Sequence, residues 1–207
     1  MVAVRLGSDE IDAAAALIAR AFHDETLTVF QFPDEVERRR LAPVHFERVL
    51  RLALATGEVW RTPAFDAVAC WVAPGRWPAT SDEIEVAGLN DTPNLIGHDA
   101  WTRFRTVYEA MDRSHAAAAP QPHWDLWLIA VDPQRQGQGL GSSLLLPMLR
   151  RFDAAGDRCY LETLDERTLA LYRRHGFVVL VDAVEPTTGV RYWCCVRDPA
   201  RASVGSP

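Results

Sequence analysis

The run Gln134-Arg135-Gln136-Gly137-Gln138-Gly139-Leu140-Gly141 holds the residues best spaced for chemistry. It follows an apolar, strand-like stretch, Leu126 to Val131, and opens a helix-like one, Ser142 to Phe152. Alternate glycines at such a junction leave the backbone bare on one side. Amide N–H groups can then close around an anion, and the helix N-terminus adds its positive dipole end. A diphosphate suits that geometry. Two common diphosphate loops do not fit the spacing. The dinucleotide pattern G-x-G-x-x-G needs a third glycine where Ser142 stands. The nucleoside-triphosphate loop needs a lysine, and the chain contains none. What remains is Gln-x-x-Gly-x-Gly after a strand. The bland alternative is a glycine-rich turn with no ligand, which does not by itself require strand, loop and helix in that order.

The elements around this loop follow from hydrophobic period and punctuation. Val2 to Leu6 reads as a strand, and Ser8 with Asp9 caps a helix from Ile11 to Phe22. Segment 23–33 breaks the pattern, and Pro33-Asp34-Glu35 starts a helix toward Ala55 that Pro43 is expected to divide. Glu58 to Arg61 and Ala67 to Ala73 form a strand pair. Residues 81–119 read as two helical pieces separated at 90–94. The second carries Trp101, Phe104, Val107, Tyr108 and Met111 at helical spacing, a stripe that is core or ligand wall. Then come the strand Trp124 to Val131, the glycine loop, and a helix in which Pro147 predicts a kink. A strand (Cys159 to Thr163), a helix (Arg167 to His175) and two strands (Phe177 to Asp182, Arg191 to Arg197) follow. The expected architecture is α/β of the α+β type, a central mixed sheet flanked by helices, in one domain over 1–197 with a disordered tail at 198–207.

Composition narrows the function classes. With 48% hydrophobic residues and 7 tryptophans, the 207-residue chain can bury a sizeable core. A net charge of −6 argues against a nucleic-acid partner and is compatible with a cationic amine. Cys70, Cys159, Cys194 and Cys195 show no C-x-x-C spacing, so reduced thiols in a cytoplasm are the simpler expectation. No signal peptide or membrane-length apolar run is seen. His115 and His123 lie apart without ligand-like partners, so no metal site is assigned.

The second half resembles the GNAT superfamily of N-acetyltransferases. The resemblance rests on the strand, Asp132-Pro133, the glycine loop, Leu161-Glu162-Thr163 and the run Leu169 to Phe177. Within the superfamily, Tyr172 followed by Gly176-Phe177, Trp193-Cys194 followed by Arg197, and the early Ala21-Phe22-His23-Asp24 look like puromycin N-acetyltransferase and its relatives. The resemblance implies the GNAT acyl-CoA fold with acetyl-CoA as co-substrate. Backbone at Ile129, Ala130 and Val131 would hold the pantetheine arm like an added strand. Amides at Gln136, Gly137, Gln138, Gly139, Leu140, Gly141 and Ser142 would take the pyrophosphate. Gly139 and Gly141 are the positions where a Cβ would most obstruct it, and Thr168 stands where the family often has asparagine.

Tyr172, one turn beyond Thr168, is implied as general acid toward the departing thiolate. Glu162 is the first choice for general base, with His123 a weaker one; its alternative is a surface or ion-paired carboxylate. Asp24, Glu25, Phe30 and Trp71 are the acceptor-side candidates. The implied activity is acetyl transfer by direct attack to a primary amine of a small molecule, puromycin-like aminonucleosides included, as in antibiotic resistance. A non-catalytic acyl-CoA sensor or partner protein, an enzyme using another acyl-CoA, or one acting on a protein N-terminus stay open. The expected form is a cytoplasmic monomer or homodimer.

Overall fold

Seven strands form one sheet, in the order β1 (Val4–Arg5), β2 (Gly57–Arg61), β3 (Ala67–Val72), β4 (Trp124–Val131), β5 (Cys159–Thr163), β7 (Arg191–Arg197) and β6 (Val178–Val184). The structure is a computed structural model and describes residues 3–200. Every neighbouring pair is antiparallel except β4 and β5. Two parallel neighbours need a long crossover rather than a hairpin. The glycine loop and helix α7 (Leu140–Ala155) supply it.

Helices cover both faces. On one lie α1 (Ile11–Ala21), α3 (Glu35–Thr56) and α6 (His98–Ala118). Ala14, Leu17 and Ile18 of α1 repeat at helical spacing and bury against Leu50 and Ala53 of α3 and Leu128 and Ala130 of β4. Val107 and Met111 of α6 cover Tyr160 and Cys194 further along the same face. On the other face, α7 and α8 (Leu169–Arg174) bury Leu144, Met148, Leu169 and Tyr172 over Leu126, Leu161 and Trp193. Among the described residues, no helix is long and apolar enough to cross a membrane.

Several boundaries differ from the expected ones. Pro43 does not divide its helix: α3 runs unbroken through it, as α7 runs through Pro147. Proline removes one backbone donor, but Leu41, Ala42 and Phe46 around Pro43, and Leu145 and Met148 around Pro147, are buried on the core side. Their packing holds the helix through the missing bond. Segment 23–33 contains a short helix, α2 (Thr26–Gln31), capped by the Glu25 carboxylate. The region from 81 folds as α4 (Ser81–Val86), α5 (Thr92–Ile96) and α6, so a helical turn occupies part of the expected break. Residues 198–200 lack regular structure, yet the Ala200 N–H donates to Asp153 at 2.8 Å. The rest of the expected tail, 201–207, and Val2 of the expected first strand lie outside the described residues.

Phe152 joins α7 to the sheet. It is 1% exposed, with its ring 4.6 Å from Trp124 and 5.0 Å from Trp71 between centroids. Phe152→Ala is therefore expected to lower unfolding free energy by about 3–5 kcal/mol, read as a lower urea midpoint with an unchanged slope. An unchanged midpoint would mean that this cluster does not anchor the helix.

Candidate active site where two strands part

The parallel pair runs only through Trp124↔Cys159, Asp125↔Tyr160 and Leu126↔Leu161. Beyond that, β4 continues to Val131 with only β3 as its ladder partner, while β5 stays paired with β7 through Thr163↔Trp193. The strands thus part, and among the described residues the β5-side backbone edge of Ile129, Ala130 and Val131 has no strand partner. An extended chain bearing amide groups could bond there as an added strand does. The Gln136 Nε2 donates to the Val131 carbonyl at 3.3 Å where that edge meets the loop.

A bulge sharpens the parting. Register jumps from Cys70↔Leu128 to Trp71↔Leu126, so Trp127 is an extra residue in β4. Trp127 and Leu128 both pack on the α1 and α3 face, and the Trp127 indole N–H donates to Tyr108 Oη at 2.8 Å.

The glycine loop crosses the end of this arm. Gly137 and Gly139 have φ of 75° and 78°, in the left-handed region, and a Cβ at either would meet no atom within 4 Å. That open space lies over exposed residues 133–139. The first helical acceptor of α7, the Gly139 carbonyl, is used by Ser143 N–H at 3.0 Å, so the amides of Leu140, Gly141 and Ser142 precede the helical ladder. Gly141 behaves differently from expectation. A Cβ there would make ordinary contacts with Ile129, Leu171 and Val131, so that position faces the sheet rather than the open loop. The loop is pinned at its start by Asp132, which meets Arg20 at 3.0 Å, and beyond its end by Ser142 Oγ against His175 Nε2 at 2.9 Å.

On the β5 side, Thr168 is an internal brace. Its hydroxyl donates to the Asp165 carbonyl at 2.7 Å and lies 2.8 Å from the Thr163 hydroxyl. Tyr172 is buried in the α7 and α8 layer, 6.0 Å from Phe177 between ring centroids. Burial first, then Cys195 and Asp165, pushes its phenol well above the usual range. It stays protonated at neutral pH, so it can give up a proton but not take one.

Glu162 occupies the opposite face of β5, under α6. Its carboxylate accepts from Tyr160 Oη at 2.7 Å, and Cys194 Sγ lies 4.0 Å away. Burial pushes its pKa up to about 7, against the lowering effect of the Tyr160 hydroxyl. Two carboxylates that sequence reasoning missed share this environment. Asp125 is buried and, with Glu162 and Asp112 nearby, held well above the carboxylate range; Asp112 is pushed up to about 6, mainly by burial. Tyr108 stands among them, its phenol raised by burial and then by Asp112, Glu162 and Asp125. Three acids close together cannot all ionise cheaply, so the cluster favours a bound cation or retained protons.

The acceptor-side candidates fare unequally. Trp71 is a core residue, wholly buried against Phe152 on the α7 face, and does not reach the gap. Phe30 is partly buried against the cluster that holds Val107, Met111, Tyr160 and Cys194 under α6. The Glu25 carboxylate caps α2, accepting from the N–H groups of Leu27 and Thr28 at 3.0 and 3.1 Å. Burial raises its pKa, with Asp165 adding to it from across the gap. Asp24 is exposed, 3.9 Å from His23.

His115 and His123 are distant in sequence yet touch through their Nε2 atoms at 2.7 Å. His115 stacks on Tyr160 at 4.0 Å, and burial lowers both histidines, so they stay neutral at pH 7. His123 is thus partly buried rather than simply exposed.

Residues 104–179 match the model of the acetyltransferase (GNAT) domain. The chain is 41% identical over 78 residues to the mycothiol acetyltransferase of Acidimicrobium ferrooxidans, a match covering 36% of this chain and 25% of that protein. The chain thus spans about a quarter of the length of that curated relative. A structure described as histone acetyltransferase HPA2 and related acetyltransferase, from Corynebacterium glutamicum, superposes with a TM-score of 0.64 at 19% identity, covering 98% of both chains. The polyamine N-acetyltransferase of Drosophila melanogaster superposes with a TM-score of 0.62 at 14% identity, over 95% of this chain and 99% of that one. The fold is that of the GNAT acetyltransferases, a mixed seven-stranded sheet flanked by helices. The domain match lies within residues 104–179, and the structural neighbours share the fold across nearly the whole chain.

Proposed function

We propose that this chain is an N-acetyltransferase that moves acetyl from acetyl-CoA to a primary amine of a small molecule, working as one domain over 1–197 in the cytoplasm. The observation that carries the reading is the parting of β4 from β5 after Leu126↔Leu161, with the open glycine loop at the end of the β4 arm. The free edge at 129–131 suits the amides of pantetheine. The amides from Gln136 to Ser142 suit its diphosphate. Thr168 contributes by shaping the β5–α8 turn and offers at most an acceptor lone pair to the cofactor.

Glu162 takes the proton that the substrate ammonium must lose before its nitrogen can attack, directly or through one water. The nitrogen–carbon bond forms as the carbon–sulfur bond breaks. Tyr172 donates its phenolic proton to the departing sulfur and regains one from the second proton that the attacked nitrogen sheds, relayed through water, while the net proton leaves to solvent from Glu162. Asp24 and Glu25 sit on the acceptor side, where exposed Asp24 adds negative charge for an approaching cation. The attack is direct. A covalent acyl-enzyme would need an ionised thiol, but Cys70 is wholly buried, and burial pushes Cys159 up to about 12. Puromycin-like aminonucleosides enter the acceptor panel through the likeness of Tyr172, Gly176-Phe177 and Trp193-Cys194 to that group.

Acetyl-CoA binding tests the reading. Ligand at a hundred times its dissociation constant is expected to add about 2.7 kcal/mol, seen as a raised melting temperature, whereas NADH and ATP shift it much less. Gly139→Asp is expected to abolish the shift by placing a negative side chain where the diphosphate lies. Aspartate tolerates left-handed φ better than most residues, and the unliganded melting temperature of the variant controls for folding. No shift with millimolar acetyl-CoA or CoA would overturn the assignment.

A further inference from the structure

A cavity of about 250 Å³ lies along α6 and reaches the β4 bulge. Trp77, Trp101, Phe104, Tyr108 and Trp127 give it an aromatic wall. Phe104 stacks on Tyr108 at 5.0 Å, and Trp77 meets Trp127 at 5.7 Å and Tyr108 at 6.0 Å. Trp101, Phe104, Tyr108 and Asp112 follow one another along the helix, so the cavity runs from an aromatic end to a carboxylate end. Phe104 and Asp112 are two turns, roughly 12 Å, apart.

The two ends differ in chemistry. Near Phe104, whose ring centroid is 4.7 Å from that of His45, His45 Nδ1 and Thr92 Oγ1 are buried without a hydrogen-bond partner among the described residues. His45 is 3% exposed and Thr92 0%, and both line the cavity. Such groups each cost about 1–3 kcal/mol unless something bonds them. Burial lowers the His45 pKa to about 4, so the ring is neutral and offers a lone pair or an N–H. At the other end is Asp112, within electrostatic reach of Glu162 and Asp125. Arg105, which lines the cavity, meets Glu109 at 2.7 Å; Arg48 lies 3.2 Å from Glu47 as an ion pair, though its Nε is buried without a hydrogen bond among the described residues.

We propose that this cavity is the acceptor site and that it selects a small primary amine with a flat aromatic body bearing a hydrogen-bonding group, such as a phenolic hydroxyl, at the end away from the amine. The proposal rests on the acetyl-transfer reading for its chemistry. The ring lies among Phe104, Tyr108, Trp77 and Trp127, where offset and edge contacts reward flatness. The hydroxyl bonds Thr92 and His45. The ammonium lies toward Asp112, beside the aromatic faces that also attract it, and from there faces Glu162 and the parted strands. The volume falls below the roughly 300–1,000 Å³ of drug-sized sites. It therefore favours a one- or two-ring amine over an aminonucleoside.

The test compares tyramine, phenethylamine and hexylamine as acceptors with the full chain and acetyl-CoA, alongside calorimetric binding of each amine without acetyl-CoA. Tyramine is expected to exceed hexylamine in kcat/KM by at least about tenfold, with phenethylamine between them. Thr92→Val, nearly the same shape, is expected to erase the tyramine advantage over phenethylamine while leaving the melting temperature and the acetyl-CoA shift in place. Trp101→Ala is expected to bring tyramine down to the level of hexylamine. Equal use of the three amines, with acetyl-CoA turnover intact, would overturn the cavity assignment and leave the acetyl-transfer reading standing. Tyramine binding that Thr92→Val weakens, without turnover of any amine, would uphold the cavity and sink the transfer reading. Absence of both tyramine preference and tyramine binding at millimolar concentration would overturn the proposal.

Discussion

Glu162→Gln is expected to lower kcat/KM by about 10²-fold or more at pH 7, with a deficit that shrinks as pH rises. The substitution keeps the shape and the acceptor for Tyr160 Oη but removes the base. Burial holds the Glu162 carboxyl up to about 7, so wild-type activity should climb through neutral pH as the carboxylate forms. At alkaline pH the amine loses its proton without help, and the variant catches up. Asp112 and Asp125 share the site, so the inflection belongs to the cluster rather than to one residue. A loss of equal size at every pH would assign Glu162 to positioning.

The same shift has a stability consequence of definite sign. A carboxyl whose pKa rises from 4.5 unfolded to about 7 folded disfavours the native state progressively between those values. Relative to the wild type, the neutral glutamine variant should therefore be about equally stable below pH 4.5 and more stable above pH 7, by roughly 3 kcal/mol. Urea midpoints at pH 4 and pH 8 read this directly.

Tyr172→Phe is expected to reduce kcat by about 10²-fold with acetyl-CoA affinity nearly unchanged. The phenol acts on a thiolate that exists only after attack, so its loss appears in turnover rather than binding. The ring packs against Phe177 in a buried layer that phenylalanine fills equally well, which keeps folding out of the comparison. Steady-state kinetics beside calorimetry on one preparation separate the outcomes. A near-wild-type kcat would remove Tyr172 from the mechanism. A collapse of acetyl-CoA binding would make it a cofactor contact.

The strands and the loop were legible because their signals are local. Trp124 to Val131 is an apolar run, and the glycines that follow leave the backbone bare, Gly137 and Gly139 in the left-handed region. Pro43 misled because local propensity yields to tertiary packing on both sides of the proline. Glu162 could be picked out as a strand-end carboxylate, but Asp125 could not. It lies inside an apolar strand, and only the pairing Asp125↔Tyr160 brings it beside its neighbours.

The acceptor wall was half visible. Trp101, Phe104 and Tyr108 stood out as a stripe, and Asp112 continues it four residues beyond Tyr108. Whether that stripe faces core or cavity depends on where Trp77 and the bulged Trp127 arrive, which no spacing encodes. Trp71 was misplaced because strand residues alternate faces: Ala67, Ala69 and Trp71 pack on the α7 face while Val68 and Cys70 pack on the other.

Amine-dependent release of thiol from acetyl-CoA, with the acetylated amine identified by mass, tests the central claim most directly. An amine library should yield at least one acceptor for which thiol and acetyl-amine appear in equal amounts, and Gly139→Asp should abolish both. If acetyl-CoA binds and protects the fold but no amine promotes thiol release above background, the chain is a binding protein and the account of Glu162 and Tyr172 is wrong.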